Sequence, residues 1–176
     1  MNEWNRQAVQ QRWPLSRFLD TNGDGTGLIQ VTGDYEGTTG VFYLKPTIGE
    51  DFYISRLIIG FEDSGKFTSE GYGSTPLNTG IEIYVTGDSS YVDLLNGQQV
   101  LKFADWGAYC YDFNYTEFLA DNNFGAVRWT FSKMGTLLRL NGNLNQKFVI
   151  QVRNQDMSHL SGHTFLLQGH EQRWWP

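Results

Sequence analysis

Residues 20–27, Asp-Thr-Asn-Gly-Asp-Gly-Thr-Gly, combine the types and spacing most able to do chemistry: Asp20, Asn22 and Asp24 present oxygens at alternate positions, and Gly25 permits a sharp turn. That spacing matches the first half of a calcium loop. The second half is missing. Position 31, where an EF-hand places its bidentate Glu, is Val31, so Asp34 or Glu36 would have to return to the site. Calcium takes about six to eight oxygens, which three residues do not supply. The other reading is a Gly/Asn/Asp turn closed by its own side-chain hydrogen bonds, which asks nothing of the rest of the chain. The cofactor expectation is therefore none, with calcium on Asp20, Asn22 and Asp24 as the alternative.

A second candidate is the aromatic stretch around Trp106, Tyr109 and Tyr111. Exposed, these rings would form a stacking platform for sugars or a protein partner; buried, they would be core, which is the commoner fate of large aromatics. Cys110, between two tyrosines, reads as a small buried hydrophobe, because no His or basic cluster adjoins it to lower its pKa. His159 and His163 are four apart, but the intervening Gly162 and serines suggest a turn rather than a metal-binding helix face. The carboxylate pairs Glu50/Asp51 and Glu62/Asp63 fit solvated strand ends better than a hydrolytic pair, whose geometry adjacent positions do not define. Nucleophile elbows, phosphate-binding Gly loops, dinucleotide fingerprints and zinc spacings are all absent from the sequence, so no catalytic residue is expected.

The elements that would position these groups read as strands. The run 52–61, Phe-Tyr-Ile-Ser-Arg-Leu-Ile-Ile-Gly-Phe, is rich in β-branched and aromatic residues and suits a central strand. Unbroken alternation would put Tyr53, Ser55, Leu57, Ile59 and Phe61 on one face and Phe52, Ile54, Arg56, Ile58 and Gly60 on the other, with both partly buried. Ile81, Ile83 and Val85 alternate with Glu82 and Tyr84, and residues 91–95 are their return strand after the turn Gly87-Asp-Ser-Ser90. Asn96-Gly97 marks a further tight turn. Val127, Trp129 and Phe131, then Phe148, Ile150 and Val152, repeat the pattern, and residues 163–168 form a last strand. About nine or ten short strands at this spacing predict an all-β, antiparallel two-sheet sandwich.

Residues 1–14 are polar, with Trp4 and Trp13 as isolated anchors, and read as an N-terminal arm; residues 15–176 form one domain. The tail ends in Trp174 and Trp175, an aromatic pair that needs cover from this domain or a neighbour. The formal net charge of −6, without any basic block, argues against nucleic acid as a partner. With no apolar run of membrane-spanning length and no leader-like start, a cytosolic protein outside the membrane is expected. A single Cys excludes an intrachain disulfide, so stability must come from packing.

The segments Arg17-Phe-Leu-Asp-Thr-Asn-Gly-Asp-Gly-Thr-Gly27, Gly33-Asp-Tyr35, Phe42-Tyr43, Tyr53-Ile-Ser-Arg-Leu-Ile58, Asp105-Trp106 and Val127-Arg-Trp-Thr-Phe-Ser132 together resemble virion structural proteins of tailed bacteriophages. Small all-β proteins of that kind are similar to capsid decoration, or cement, proteins. The resemblance implies a jelly-roll-like fold and a homotrimer bound to the major capsid protein on the virion, assembled in the host cytoplasm. It implies no catalytic residues, and the subunit or capsid contacts would fall on Trp4, Trp13, Trp174 and Trp175. Tail and fibre modules use similar sandwiches, so a carbohydrate-binding module on Trp106, Tyr109 and Tyr111 is the alternative.

Overall fold

Residues 81–85, 127–130 and 148–152 form strands where the apolar alternation places them. The strands are β1 (Arg12–Phe18), β2 (Gly40–Leu44), β3 (Glu50–Glu62), β4 (Ile81–Thr86), β5 (Tyr91–Asp93), β6 (Phe124–Thr130), β7 (Leu138–Asn141), β8 (Lys147–Val152) and β9 (Gly162–Arg173). The structure, a computed structural model, describes residues 12–25, 39–62, 77–101, 105–106, 124–131, 137–153 and 162–174. β4 and β5 pair antiparallel as the alternation requires. The Asn96-Gly97 turn has both residues at positive φ, 53° and 78°, a conformation that Asn and Gly adopt with least strain.

The central strand does not keep one alternation along its length. Against β9 the register of β3 slips between Ile54 and Arg56, leaving Ser55 as the extra residue of a β-bulge. An extra residue exchanges the two faces. Phe52 and Ile54 therefore share the core side with Leu57, Ile59 and Phe61, all five fully buried, while Tyr53, Arg56 and Ile58 face outward and stay partly exposed. This corrects the unbroken alternation: the faces exchange at Ser55, and one face is fully buried while the other is partly so. The Ser55 hydroxyl is tied to the Gln168 carbonyl at 3.0 Å. Opposite lies Gly169, where a Cβ would overlap the Tyr53 carbonyl oxygen, so the close strand approach at the bulge requires glycine.

Two antiparallel sheets result. One runs β1-β9-β3-β6, with β7 also on β3; the other runs β2-β8-β4-β5. β7 pairs residues 51–54 of β3 and β6 pairs residues 56–62, so the two short strands occupy one lane on either side of the bulge. In this order β1 lies with β9 and β3 with β6 in one sheet, while β2 lies with β8 and β4 with β5 in the other. Folding a paired ribbon over itself gives that jelly-roll-like arrangement. Side chains from both sheets meet in one hydrophobic cluster. In it Phe61 meets Phe165 edge-on at 5.8 Å, and Phe42 lies 5.5 Å from Phe165. Burying each such ring contributes about 2–3 kcal/mol.

Two boundaries differ from the expected ones. Arg12, Trp13 and Pro14 belong to β1 rather than to an arm. Pro14 is tolerated because β1 is an edge strand, where a missing N–H need not break a ladder. The last strand runs on from residue 168 to Arg173, because Glu171, whose carboxylate would otherwise resist burial, accepts a hydrogen bond from Arg17 at 2.8 Å.

Candidate contact surface

The loop at residues 20–25 is built around the Asp20 carboxylate. Its Oδ1 accepts hydrogen bonds from the amides of Asn22, at 3.1 Å, and Gly23; its Oδ2 accepts from Gly25 at 3.1 Å. Asp20 is 4% exposed, whereas Asn22 and Asp24 are exposed. This is the side-chain-closed turn, with Gly23 at φ 78° lying under the Tyr43 ring. The three residues meet no further carboxylate in a metal-sized cluster among the described residues.

Trp106 is fully buried, its ring 6.2 Å from that of Phe61. A buried indole cannot stack on a sugar, so Trp106 has the favoured fate, core, and leaves the alternative platform; Tyr109, Tyr111 and Cys110 lie outside the described residues. His163 is buried between Phe42 and Phe165, with ring centroids 4.2 and 4.6 Å away, and burial pushes its pKa down to about 4. His159 and Asp63 also lie outside the described residues, while Glu62 ends β3.

Asp51 is not a solvated strand end. It is 1% exposed, and its Oδ2 accepts hydrogen bonds from Arg139 Nε (3.1 Å), Arg139 Nη2 (2.7 Å) and the Trp174 indole N–H (3.0 Å). The hydrogen bond to Asp51 raises the Arg139 pKa further. Register explains the meeting: Asp51 sits opposite Asn141 on β7 and Gln172 on β9, which brings Arg139 and Trp174 to its flanks. The backbone N–H of Trp174 donates to the Gly49 carbonyl at 2.8 Å, and Glu50 pairs with Arg173 at 3.0 Å. Trp174 thus docks on its own domain.

The docked Trp174 is nevertheless 42% exposed, and it has apolar company. Ile48, next to Gly49, is 88% exposed; Leu144, next to the Asn143 whose Oδ1 accepts from the Gly49 N–H, is 49% exposed; Trp13, opposite Glu171, is 46% exposed. One end of the sandwich therefore carries four large, open apolar side chains, at the point where the chain enters β1 and leaves β9. Ionic groups rim it, chiefly Glu50, Arg139 and Arg173. An apolar centre with held aromatics and a charged rim is the anatomy of a protein–protein contact. Trp13 and Trp174 were legible in the sequence as lone aromatics among polar residues, whereas Trp4 and Trp175 lie outside the described residues. Ile48 and Leu144 were missed, although an isolated Ile in Pro-Thr-Ile-Gly and an isolated Leu in Asn-Gly-Asn-Leu-Asn are apolar residues in tight turns, where burial in the monomer is unusual. No protein-family model and no curated protein matches this chain.

Proposed function

We propose that this chain is a structural, non-enzymatic protein of a tailed-bacteriophage virion, a head decoration (cement) protein that bridges neighbouring capsid subunits. The observation that supports it is the apolar end bearing Trp13, Ile48, Leu144 and Trp174, which a protein working alone in water would be expected to cover. The resemblance of the sequence to phage virion proteins points the same way. So does the strand order by analogy, since jelly rolls recur in viral capsid and lectin domains, although fold alone does not carry function. On this reading the partner is the major capsid protein, the chain is a homotrimer on the virion, and the apolar end is the surface it presents. A cofactor has no role in it; calcium on Asp20, Asn22 and Asp24 would only stiffen the loop, and a melting temperature indifferent to chelator discards that idea.

The test is binding to purified particles. Ile48→Asp with Leu144→Asp places two charges on the open end at positions whose exposure leaves the fold intact. The double variant should melt like the wild type and fail to cosediment with capsids. Quantitative mass spectrometry of particles should find many copies of the chain, and antibody labelling should place them over the head. Absence from particles, or full capsid binding by the double variant, overturns the proposal.

A further inference from the structure

The outward face of the four-stranded sheet carries a different surface, which borders the apolar end at the β4–β5 turn, where the Asp88 N–H donates to the Leu144 carbonyl at 3.1 Å. Tyr43, Val149 and Tyr84 stand opposite one another across β2, β8 and β4. Tyr91 on β5 lies diagonal to Tyr84, with ring centroids 5.3 Å apart and planes at 34°. Tyr91 is 65% exposed, while Val149, on the same outward face, is 1% exposed. Beside the rings, the Tyr84 hydroxyl donates to Gln151 Oε1 at 3.1 Å, and Arg153 Nη2 donates to Glu82 Oε1 at 3.0 Å.

We propose that this face binds a neutral polysaccharide, with Tyr91 and Tyr84 stacking on its rings and Gln151, Glu82 and Arg153 hydrogen-bonding its hydroxyls. The choice of occupant rests on charge and shape. Glu82 and Arg153 balance each other, and Lys147 is drawn over the Tyr43 ring, 5.1 Å from its centroid. A polyanion would meet the Glu82 carboxylate in its path. An apolar peptide would bury the Glu82–Arg153 pair and lose its hydration without replacement. A sugar ring has an apolar C–H face that suits an open phenol, and rim hydroxyls that both donate and accept. Such hydroxyls can join the Tyr84–Gln151 and Glu82–Arg153 pairs without leaving either unsatisfied. Burial, with Tyr91 and Glu82 nearby, raises the Tyr84 pKa, so its hydroxyl remains a donor at neutral and mildly alkaline pH.

Native affinity electrophoresis of the full chain through gels containing dextran, galactomannan or a soluble β-glucan tests the site, with alginate as the anionic control. At least one neutral polymer should retard the wild type. Tyr91→Ala, at an exposed edge-strand position, should weaken that retardation about fivefold to tenfold, and Tyr84→Phe about threefold, with circular dichroism unchanged. Ile48→Asp, at the other surface, should bind polysaccharide like the wild type, so failure here and failure of capsid binding are separate results. No retardation by any of the three neutral polymers, retardation by alginate alone, or a Tyr91→Ala protein that binds as the wild type does would each overturn the site.

Discussion

Three donors converge on one oxygen of Asp51, and the cost of removing them should be unequal. Arg139→Met leaves a buried carboxylate with the Trp174 N–H and no cation. Asp51→Asn removes the charge but keeps an oxygen that can accept from the indole. Because half of the Arg139 side chain is exposed, water can partly replace it, which limits the expected loss to about 2 kcal/mol, against about 1 kcal/mol for Asp51→Asn. Urea unfolding checks the order, and an Asp51→Asn protein less stable than Arg139→Met would remove the argument. His163 supplies a pH effect of definite sign. Its folded pKa of about 4 lies below the ordinary 6.5, so between those values the unfolded chain takes up a proton that the folded one refuses. Stability should therefore fall as pH drops below 6.5, by up to about 1.4 kcal/mol per unit, reaching about 3 kcal/mol near pH 4. His163→Leu should flatten that part of the profile relative to the wild type. Parallel profiles from pH 7 to pH 4 would mean that the imidazole is not held neutral by its phenylalanine cage.

At the scale of elements, the bulge decides how β3 is used. Gly169→Ala should cost about 3 kcal/mol or more, because its methyl would meet backbone at Tyr53 rather than a side chain that can turn away. A variant that melts within a degree or two of the wild type would show that the two strands can separate there cheaply. The same place marks what could be read from the sequence. The β4–β5 hairpin was legible because its alternation is local and each residue reports its own face. The buried face of β3 was not, because a bulge is a property of pairing with β9, and Ser55 carries no signal of it until Gly169 and Gln168 are seen paired with its two neighbours Ile54 and Arg56. Residues 169–173 looked like tail for a related reason: Glu171 and Gln172 are polar, and only partners from distant strands make their burial tolerable. Trp13 and Trp174 could be singled out by type, but not the surface they form with Ile48 and Leu144, which depends on two turns meeting through Gly49 and Asn143. Trp106 shows the limit plainly, since composition allowed either platform or core and only its contact with Phe61 settles which.

For the molecule as a whole, the strand order sets how it must fold. β9 lies between β1 and β3, so the centre of the larger sheet is formed by the end of the chain, and Arg17 meets Glu171 across 154 residues. Contacts of such separation require long loops to close before any packing offsets their entropy. Refolding should accordingly be slow for the chain's size, on the order of milliseconds to seconds or longer, and should await the last strand. A chain ending at residue 161 would leave the edges of β1 and β3 facing an empty lane, each with unpaired N–H and C=O groups. Edges like these pair with other chains. That fragment should aggregate or stay unfolded, with neither a cooperative melt nor a near-UV aromatic signal. A cooperative melt from the chain ending at residue 161 would show that β1, β3 and β6 hold together without the strand between them, and the jelly-roll-like order would then be a late addition to a smaller folding unit.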